Sequence, residues 1–209
     1  KGYTHAKKSY KAYVGQLIGE NVYAGFKPDK INKSGYMELY SSIMEEKGLA
    51  PLPTWVAVPE HQTMGAKDLV LTTYKVSTQI HSRSQNCKWL TEIYHDNPGW
   101  INPQTAENLG IAHGDDIKVT SPVGSITTKA RVTPAVIPGV IAISHHCGHW
   151  EYGRYASGNK APLGVEENSD KHKWWTKNGV HPNWIIPNAP DPINGQLRFM
   201  DTVVQVAKV

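Results

Sequence analysis

The stretch Leu69-Val-Leu-Thr-Thr-Tyr-Lys-Val-Ser-Thr-Gln-Ile-His-Ser-Arg-Ser-Gln-Asn86 decides how the rest of the chain is read. It opens as a short apolar strand, Leu69 to Leu71. It then becomes a run of hydroxyls, amides and basic groups: Thr72, Thr73, Lys75, Ser77, Thr78, Gln79, His81, Ser82, Arg83, Ser84 and Asn86. No Asp or Glu occurs between Asp68 and Glu92. Hydroxyls and backbone N–H groups satisfy phosphate oxygens, and Lys and Arg neutralise their charge. The run therefore reads as an anion or nucleotide cradle at the end of a strand. A polar surface hairpin is the plainer alternative.

Downstream of the cradle, Trp89, Leu90 and Ile93 recur at helical spacing, and Asn97-Pro-Gly99 stops that helix. Asn102 to Gly110 reads as a one-to-two-turn helix. Asn102 is its N-cap, Pro103 sits at the first helical position, Leu109 faces inward and Gly110 ends it. Ile117 to Ser121 and Ser125 to Thr133 read as strands joined at Pro122-Val-Gly124, a hairpin signal. Val140 to Ser144 is a buried strand, and Thr202 to Ala207 is the last one. Short strands separated by tight turns and brief helices favour a closed β-barrel over a doubly wound parallel sheet.

Upstream, Ser34 to Tyr40 alternates like a strand. Ser42 with Glu45 matches a capping box, so Ser42 to Lys47 reads as a short helix stopped by Gly48. Pro51, Pro53 and Pro59 make an extended connector. Residues 1–33 are rich in Tyr, Lys and Gly without a sustained period. They read either as a segment that packs against another domain or as a basic tail.

The totals bound the function. The 209 residues suffice for one large domain, or one domain with appendages. The net charge of +4 is mild and its basic residues are scattered among acidic ones, so nothing reads as a nucleic-acid coat. Only Cys87 and Cys147 are present. That excludes an all-Cys zinc or iron–sulfur site built by this chain alone. No apolar stretch approaches the roughly 20 residues of a membrane span. No signal peptide is visible, which leaves periplasmic and cytoplasmic locations both open. The chain starts at Lys1, so it is expected to be a processed chain or a piece of a longer one.

Four pieces together resemble the C-terminal dinucleotide-binding domain of molybdopterin oxidoreductases, the dimethyl sulfoxide reductase superfamily. They are Leu71-Thr-Thr-Tyr-Lys with Ile80-His-Ser-Arg-Ser-Gln-Asn86; Trp100-Ile-Asn-Pro-Gln-Thr-Ala-Glu-Asn-Leu-Gly-Ile-Ala-His-Gly-Asp115; Val119-Thr-Ser-Pro-Val-Gly-Ser125 running through Pro138-Gly-Val-Ile-Ala-Ile143; and Pro182-Asn-Trp-Ile-Ile-Pro-Asn188 with Gly195-Gln196. The resemblance covers about residues 34 to 209. It implies a mainly β fold with short helices, a six-stranded double-psi β-barrel (ADC-like) over residues 67–209. Residues 1–66 would be an N-terminal extension and lead-in that packs on a missing domain.

The resemblance also implies a cofactor, bis-(molybdopterin guanine dinucleotide) carrying Mo or W. The barrel would hold one guanosine end and part of the pterin. The 4Fe-4S cluster and the metal-ligating side chain are expected only in the N-terminal domains, which this chain lacks. This chain would then be a fragment or subunit of a Mo- or W-dependent oxidoreductase. Its partners would be the remaining domains of the catalytic subunit, on the same gene product or a separate chain, and an iron–sulfur electron-transfer subunit. The reaction would be a two-electron redox step or oxygen-atom transfer, on a sulfur or arsenic oxyanion. The competing reading is a non-enzymatic double-psi-barrel binding or adaptor module.

Carried over residue by residue, Thr72, Thr73 and Lys75 follow the first barrel strand and suit a pyrophosphate. His81, Ser82 and Arg83 form the next contact cluster, for phosphate or pterin oxygens. Asn86 caps a helix or donates to the ligand. Ser144 and His145 end a barrel strand where the family has pterin contacts and a substrate funnel, and a His there can donate or shuttle a proton. Asn183 and Asn188 supply paired donors and acceptors for a pterin or guanine edge. Gln196 and Phe199 stand at the family's last polar and aromatic contacts, and Phe199 lacks the hydroxyl some relatives have there. His145, His146, Cys147 and His149 have the ligand types of a zinc site, but no metal is assigned to them. Gly158 to Lys173 reads as an exposed loop, with Arg154 just before it.

Overall fold

The computed structural model describes residues 17–18, 22–23, 39–85, 87–148, 178–191 and 195–209. Asn86, His149, Arg154 and the loop expected over 158–173 lie outside the described residues, as do most of 1–38. The chain divides into two units, Lys1–Val56 and Ala57–Val209. The first contains a small antiparallel hairpin, β1 (Leu17–Ile18) with β2 (Val22–Tyr23), and the helix α1 (Ser42–Glu46). The cap of α1 is Ser41, one residue before the expected Ser42. Ser41 keeps extended backbone, and its hydroxyl accepts from the N–H of Met44 at 3.3 Å. Ser42 is already helical.

The second unit is a closed six-stranded double-psi barrel. Its strands are β3 (Asp68–Tyr74), β4 (Gly99–Ile101), β5 (Asp116–Ser121), β6 (Gly124–Val132), β7 (Val140–Ser144) and β8 (Thr202–Lys208). They close in the order β3-β7-β4-β6-β5-β8. Two pairs are parallel, β3 with β7 and β4 with β6; the rest are antiparallel, including β3 with β8.

Period-two alternation fills the interior. In β3, Leu69, Leu71 and Thr73 point inward while Asp68, Val70, Thr72 and Tyr74 are partly exposed. In β5, Ile117 and Val119 do the same between Asp116, Lys118 and Thr120. β7 is different: Ile141, Ala142, Ile143 and Ser144 are all buried, as befits a strand covered on both faces. Leu71, Ile101, Ile117, Ile141 and Ile143 are completely buried and meet at the centre.

The first barrel strand is longer than its apolar start. Thr72 and Thr73 lie within it, because β7 supplies partners as far as Tyr74, opposite Ser144. Lys75 is the first residue past its end. Gly99 begins a strand instead of stopping a helix. β4 is only three residues long, and both of its neighbours, β6 and β7, prop it up.

Helix α2 (Lys88–Ile93) forms within the expected span, yet Trp89 and Ile93 are 80% and 65% exposed and it buries Thr91 instead. Helix α3 (Pro103–Leu109) is built from its own sequence. Asn102 accepts from the N–H of Gln104 at 3.0 Å, Pro103 opens it and Gly110 closes it in the left-handed conformation at φ 67°. Leu109 packs partly buried against the core, beside buried Thr105 and Ala106. Asp115 holds the following turn, accepting from the N–H of Ala112 and pairing with Lys208, both at 2.8 Å. No helix among the described residues is long and apolar enough to cross a membrane.

Candidate functional site: a cleft at the ends of the parallel strands

β3 and β7 run parallel, so their C-terminal ends emerge side by side. The chain leaving β3 forms the short 3-10 turn His81–Ser84. The chain leaving β7 continues into His145 and His146. Later in the chain, the 3-10 turn Pro182–Ile185 and the segments around Asn188 and Phe199 return to the same place. Together they enclose a cleft of about 480 Å³, lined by Thr73, His81, Ser82, His145, His181, Asn183, Ile186, Pro187, Asn188, Leu197 and Phe199. Its described lining contains hydroxyls, amides and imidazoles and no carboxylate.

A larger groove of about 630 Å³ lies elsewhere on the barrel, among Met64, Val123, Arg198 and Val203. Its one cation, Arg198, is already paired with Glu60 at 3.0 Å and Asp201 at 3.6 Å. We place the site in the smaller cleft, because that is where the sequence-predicted residues converge.

Seven of those residues line it: Thr73, His81, Ser82, His145, Asn183, Asn188 and Phe199. Asn86 lies outside the described residues, and Thr72, Lys75, Arg83, Ser144 and Gln196 are not among the lining. Thr72 points to the opposite face of β3 from Thr73 and donates its hydroxyl to Met200 Sδ at 3.2 Å. Lys75 is exposed but close enough to act on His145 electrostatically. Arg83 is exposed. Ser144 is completely buried, with its hydroxyl 2.7 Å from His146 Nδ1. Gln196 is exposed, and its backbone carbonyl accepts from the N–H of Asp191 at 2.7 Å.

Two buried amides hold the walls: Gln79, which the sequence placed among the polar groups of the cradle, and Asn97, read there only as part of a helix stop. Gln79 donates to the carbonyls of Leu90 at 3.0 Å and Tyr94 at 2.8 Å, which serves the C-terminal end of α2. Its own carbonyl accepts from the hydroxyl of Ser84, which in turn accepts from the N–H of Ile80 at 2.8 Å. This frame fixes the turn that carries His81 and Ser82. Asn97, completely buried, donates to the carbonyls of Ser144 at 2.6 Å and Val180 at 2.7 Å, and accepts from the N–H of Val180 at 2.7 Å. It ties the segment leading to Asn183 onto the end of β7. Neither role has a local sequence signal: Gln79 bonds carbonyls 11 and 15 residues on, and Asn97 bonds carbonyls 47 and 83 residues on.

The backbone fits just as closely. A Cβ on Gly148 would lie 2.2 Å from the nitrogen of His181, and one on Gly179 would lie 2.5 Å from Cys147 Cβ. Both glycines have positive φ, 83° and 78°. Cys147 is buried beneath them, and burial pushes its thiol up to about 12.

His81 is the only described residue other than glycine with positive φ, at 48°. Its ring lies 4.7 Å from that of His145, tilted by 32°. Burial, then His81, then Lys75 hold His145 below the usual imidazole range. Next to His145 runs a chain of contacts from buried Ser144 and His146 to partly buried Tyr94 and Tyr74. Ser144 touches His146, the His146 ring packs on Tyr94 at 5.1 Å, and the hydroxyls of Tyr94 and Tyr74 are 3.4 Å apart. Tyr74 also packs on Trp100 at 4.8 Å, with Arg131 stacked on that indole at 4.8 Å. Burial raises the Tyr74 hydroxyl well above its ordinary value. Burial, and then His145, push His146 down to about 4.

A buried neutral histidine makes stability depend on pH with a fixed sign. Between about 4 and the ordinary value of 6.5, the unfolded chain takes up a proton that folded His146 refuses. Its contribution is intact above 6.5 and is lost as pH falls through that window, by roughly 3 kcal/mol at the acid end. Urea unfolding of the wild type and of His146→Asn at pH 7 and pH 4.5 tests this. The wild type should lose markedly more stability on acidification than the variant.

The barrel has known relatives. Residues 69–203 match the family model of the molydopterin dinucleotide binding domain. The molybdopterin-containing subunit of the arsenate respiratory reductase of Shewanella sp. strain ANA-3 is 33% identical over 150 residues, 68% of this chain and 16% of that protein. The molybdopterin-containing subunit of the thiosulfate reductase of Salmonella typhimurium is 29% identical over 179 residues, 84% of this chain and 20% of that protein. This chain therefore spans about a fifth or less of the length of these relatives. Among solved structures, acetylene hydratase from Pelobacter acetylenicus shares the fold, with a TM-score of 0.62 at 21% identity over 85% of this chain and 24% of that one. The four motifs, the six-stranded barrel and the family match agree: the chain belongs to the molydopterin dinucleotide binding domain family of the molybdopterin oxidoreductases, the dimethyl sulfoxide reductase family.

Proposed function

We propose that this chain is the part of a Mo- or W-dependent oxidoreductase that holds the guanosine dinucleotide end, and part of the pterin, of a bis-(molybdopterin guanine dinucleotide) cofactor. The observation that carries this reading is the cleft itself. Four stretches, at Thr73, at 81–82, at His145 and at 181–188, bring hydroxyl, amide and imidazole groups to one place without a carboxylate among the described lining, and a fifth adds Leu197 and Phe199. That donor set suits an anionic diphosphate next to a heterocycle with a hydrogen-bonding edge.

Thr73, Ser82, His81 and His145, with Lys75 at the rim, would hold phosphate oxygens. Asn183 and Asn188 would pair with the edge of guanine or pterin, and Phe199 would cover a ring face. Bound in the complete enzyme, the cofactor supplies two-electron redox chemistry at its metal. The residues of this chain bind it, orient it and exclude water from it.

Relatives named as arsenate, thiosulfate and tetrathionate reductases support a sulfur or arsenic oxyanion as substrate. In this reading residues 1–66 lead in from the domains that carry the iron–sulfur cluster and the metal ligand. An iron–sulfur electron-transfer subunit completes the assembly.

Calorimetry with guanosine diphosphate tests the core of the proposal. The chain should bind it, and Asn183→Ala with Asn188→Ala should weaken binding by at least about tenfold, as expected from two lost hydrogen bonds. An unchanged affinity in that double variant would remove the amides from the site. A folded chain that binds no guanine nucleotide would favour the adaptor reading.

A further inference from the structure

His145 reaches the cleft among other basic groups. The rings of His145 and His81 are 4.7 Å apart, Lys75 stands beside them, and His145 is followed directly by His146. His181 lines the same cleft from the opposite segment. These are the titratable groups facing His145 from β3, β7, the 81–84 turn and the late segment. No carboxylate among the described lining residues offsets them. Burial, a second imidazole at this distance and an ammonium all disfavour a charge on His145, and an anion in the cleft would offset them.

The backbone nevertheless holds the two imidazoles together. His81 sits in the left-handed region at φ 48°, a conformation that favours glycine. The Gln79–Ser84 hydrogen bonds lock its turn. Strain of this kind persists only where the surroundings over-determine it, and an observed outlier points toward function.

We propose that His145 is a proton-coupled anion receptor: it takes up one proton as a phosphate-bearing ligand enters the cleft, and it shares that anion with His81 and Lys75. The inference rests on the cofactor-binding reading above and adds a proton to it. The proton comes from solvent, so binding is tied to pH. An anion favours charged His145 and raises its midpoint in the bound state. Affinity therefore increases as pH falls through the bound-state midpoint, and it levels off below that of the free protein. A single proton allows at most about a tenfold change per pH unit.

The test uses the full chain with labelled histidines, and His145→Gln identifies the His145 signal. Guanosine diphosphate and inorganic pyrophosphate are the probes. The His145 midpoint should rise by more than one pH unit when either is bound. Calorimetry in two buffers of different ionisation heat should show uptake of up to one proton, and affinity should tighten about tenfold from pH 7.5 to pH 6. His145→Gln should lose that acid-side gain. Binding of guanosine diphosphate with an unmoved His145 midpoint overturns the inference and leaves the proposed function standing. Pyrophosphate binding with proton uptake, but no nucleotide binding, supports the inference and removes the dinucleotide reading. Binding of neither probe between pH 5.5 and 8 overturns both.

Discussion

Replacing Asn97 with alanine is expected to cost about 3–5 kcal/mol of stability. The side chain is completely buried and serves three backbone groups: the carbonyls of Ser144 and Val180 and the N–H of Val180. Losing it strips all three of their partner, and a buried polar group left unmade costs about 1–3 kcal/mol. Asn97→Asp is the informative control. It keeps an acceptor for Val180 but turns a carboxylate oxygen toward two carbonyl oxygens, so it should be no better tolerated than alanine. Urea unfolding reads the stability. Binding of guanosine diphosphate to whatever remains folded should also weaken, because Asn97 positions the segment that carries Asn183 and Asn188. A variant that loses less than about 1 kcal/mol would show that water replaces the amide at low cost.

Gly148→Ala is expected to be at least as damaging, by a different mechanism. The added Cβ would meet backbone rather than flexible side chain: the nitrogen of His181 at 2.2 Å and the carbonyl carbon of Val180 at 2.4 Å. The positive φ adds strain of its own. The two segments must part, which undoes the Asn97 contacts as well. We expect a loss of about 4 kcal/mol, in the range reserved for core clashes and special backbone positions. Gly110→Ala separates the two contributions. It has the same sign of φ but no atom within 4 Å of its Cβ, so it should cost only about 1 kcal/mol. Equal losses in the two variants would assign the effect to backbone conformation and not to close approach.

What could be read from the sequence was what the sequence decides locally. Helix α3 carries its own cap, its own proline and its own stop, so its limits follow from residues 102–110. The β5–β6 hairpin is similar, with a two-residue turn set by Pro122 and Val123. β4 could not be read this way. Three residues have no periodicity, and they are extended because β6 and β7 lie on either side. Helix α2 inverts the usual signal: its Trp89 and Ile93 face out, so its apolar spacing does not mark its buried side.

The same division runs through the cleft. Thr72 and Thr73 look equivalent as residue types, and only the extent of β3 tells which one faces the site. The convergence of His81 and His145 with Asn183 and Asn188 came from the order of the family motifs. Gln79 and Asn97 had no such guide. An amide that caps a distant carbonyl looks like any other amide until the fold brings the carbonyl to it.

The barrel closes by pairing its first strand with its last, Asp68–Tyr74 with Thr202–Lys208. During synthesis, the edge of the first strand must wait for some 130 residues before its antiparallel partner exists. Contacts between such distant parts of a chain form late and slowly. In the interval β3 presents an unpaired edge with apolar Leu69 and Leu71, a hazard for association with other chains. The cleft also waits, since Asn188 and Phe199 are made more than 110 residues after Thr73. Any ligand of this cleft therefore meets its full lining only after nearly all of the barrel has been made.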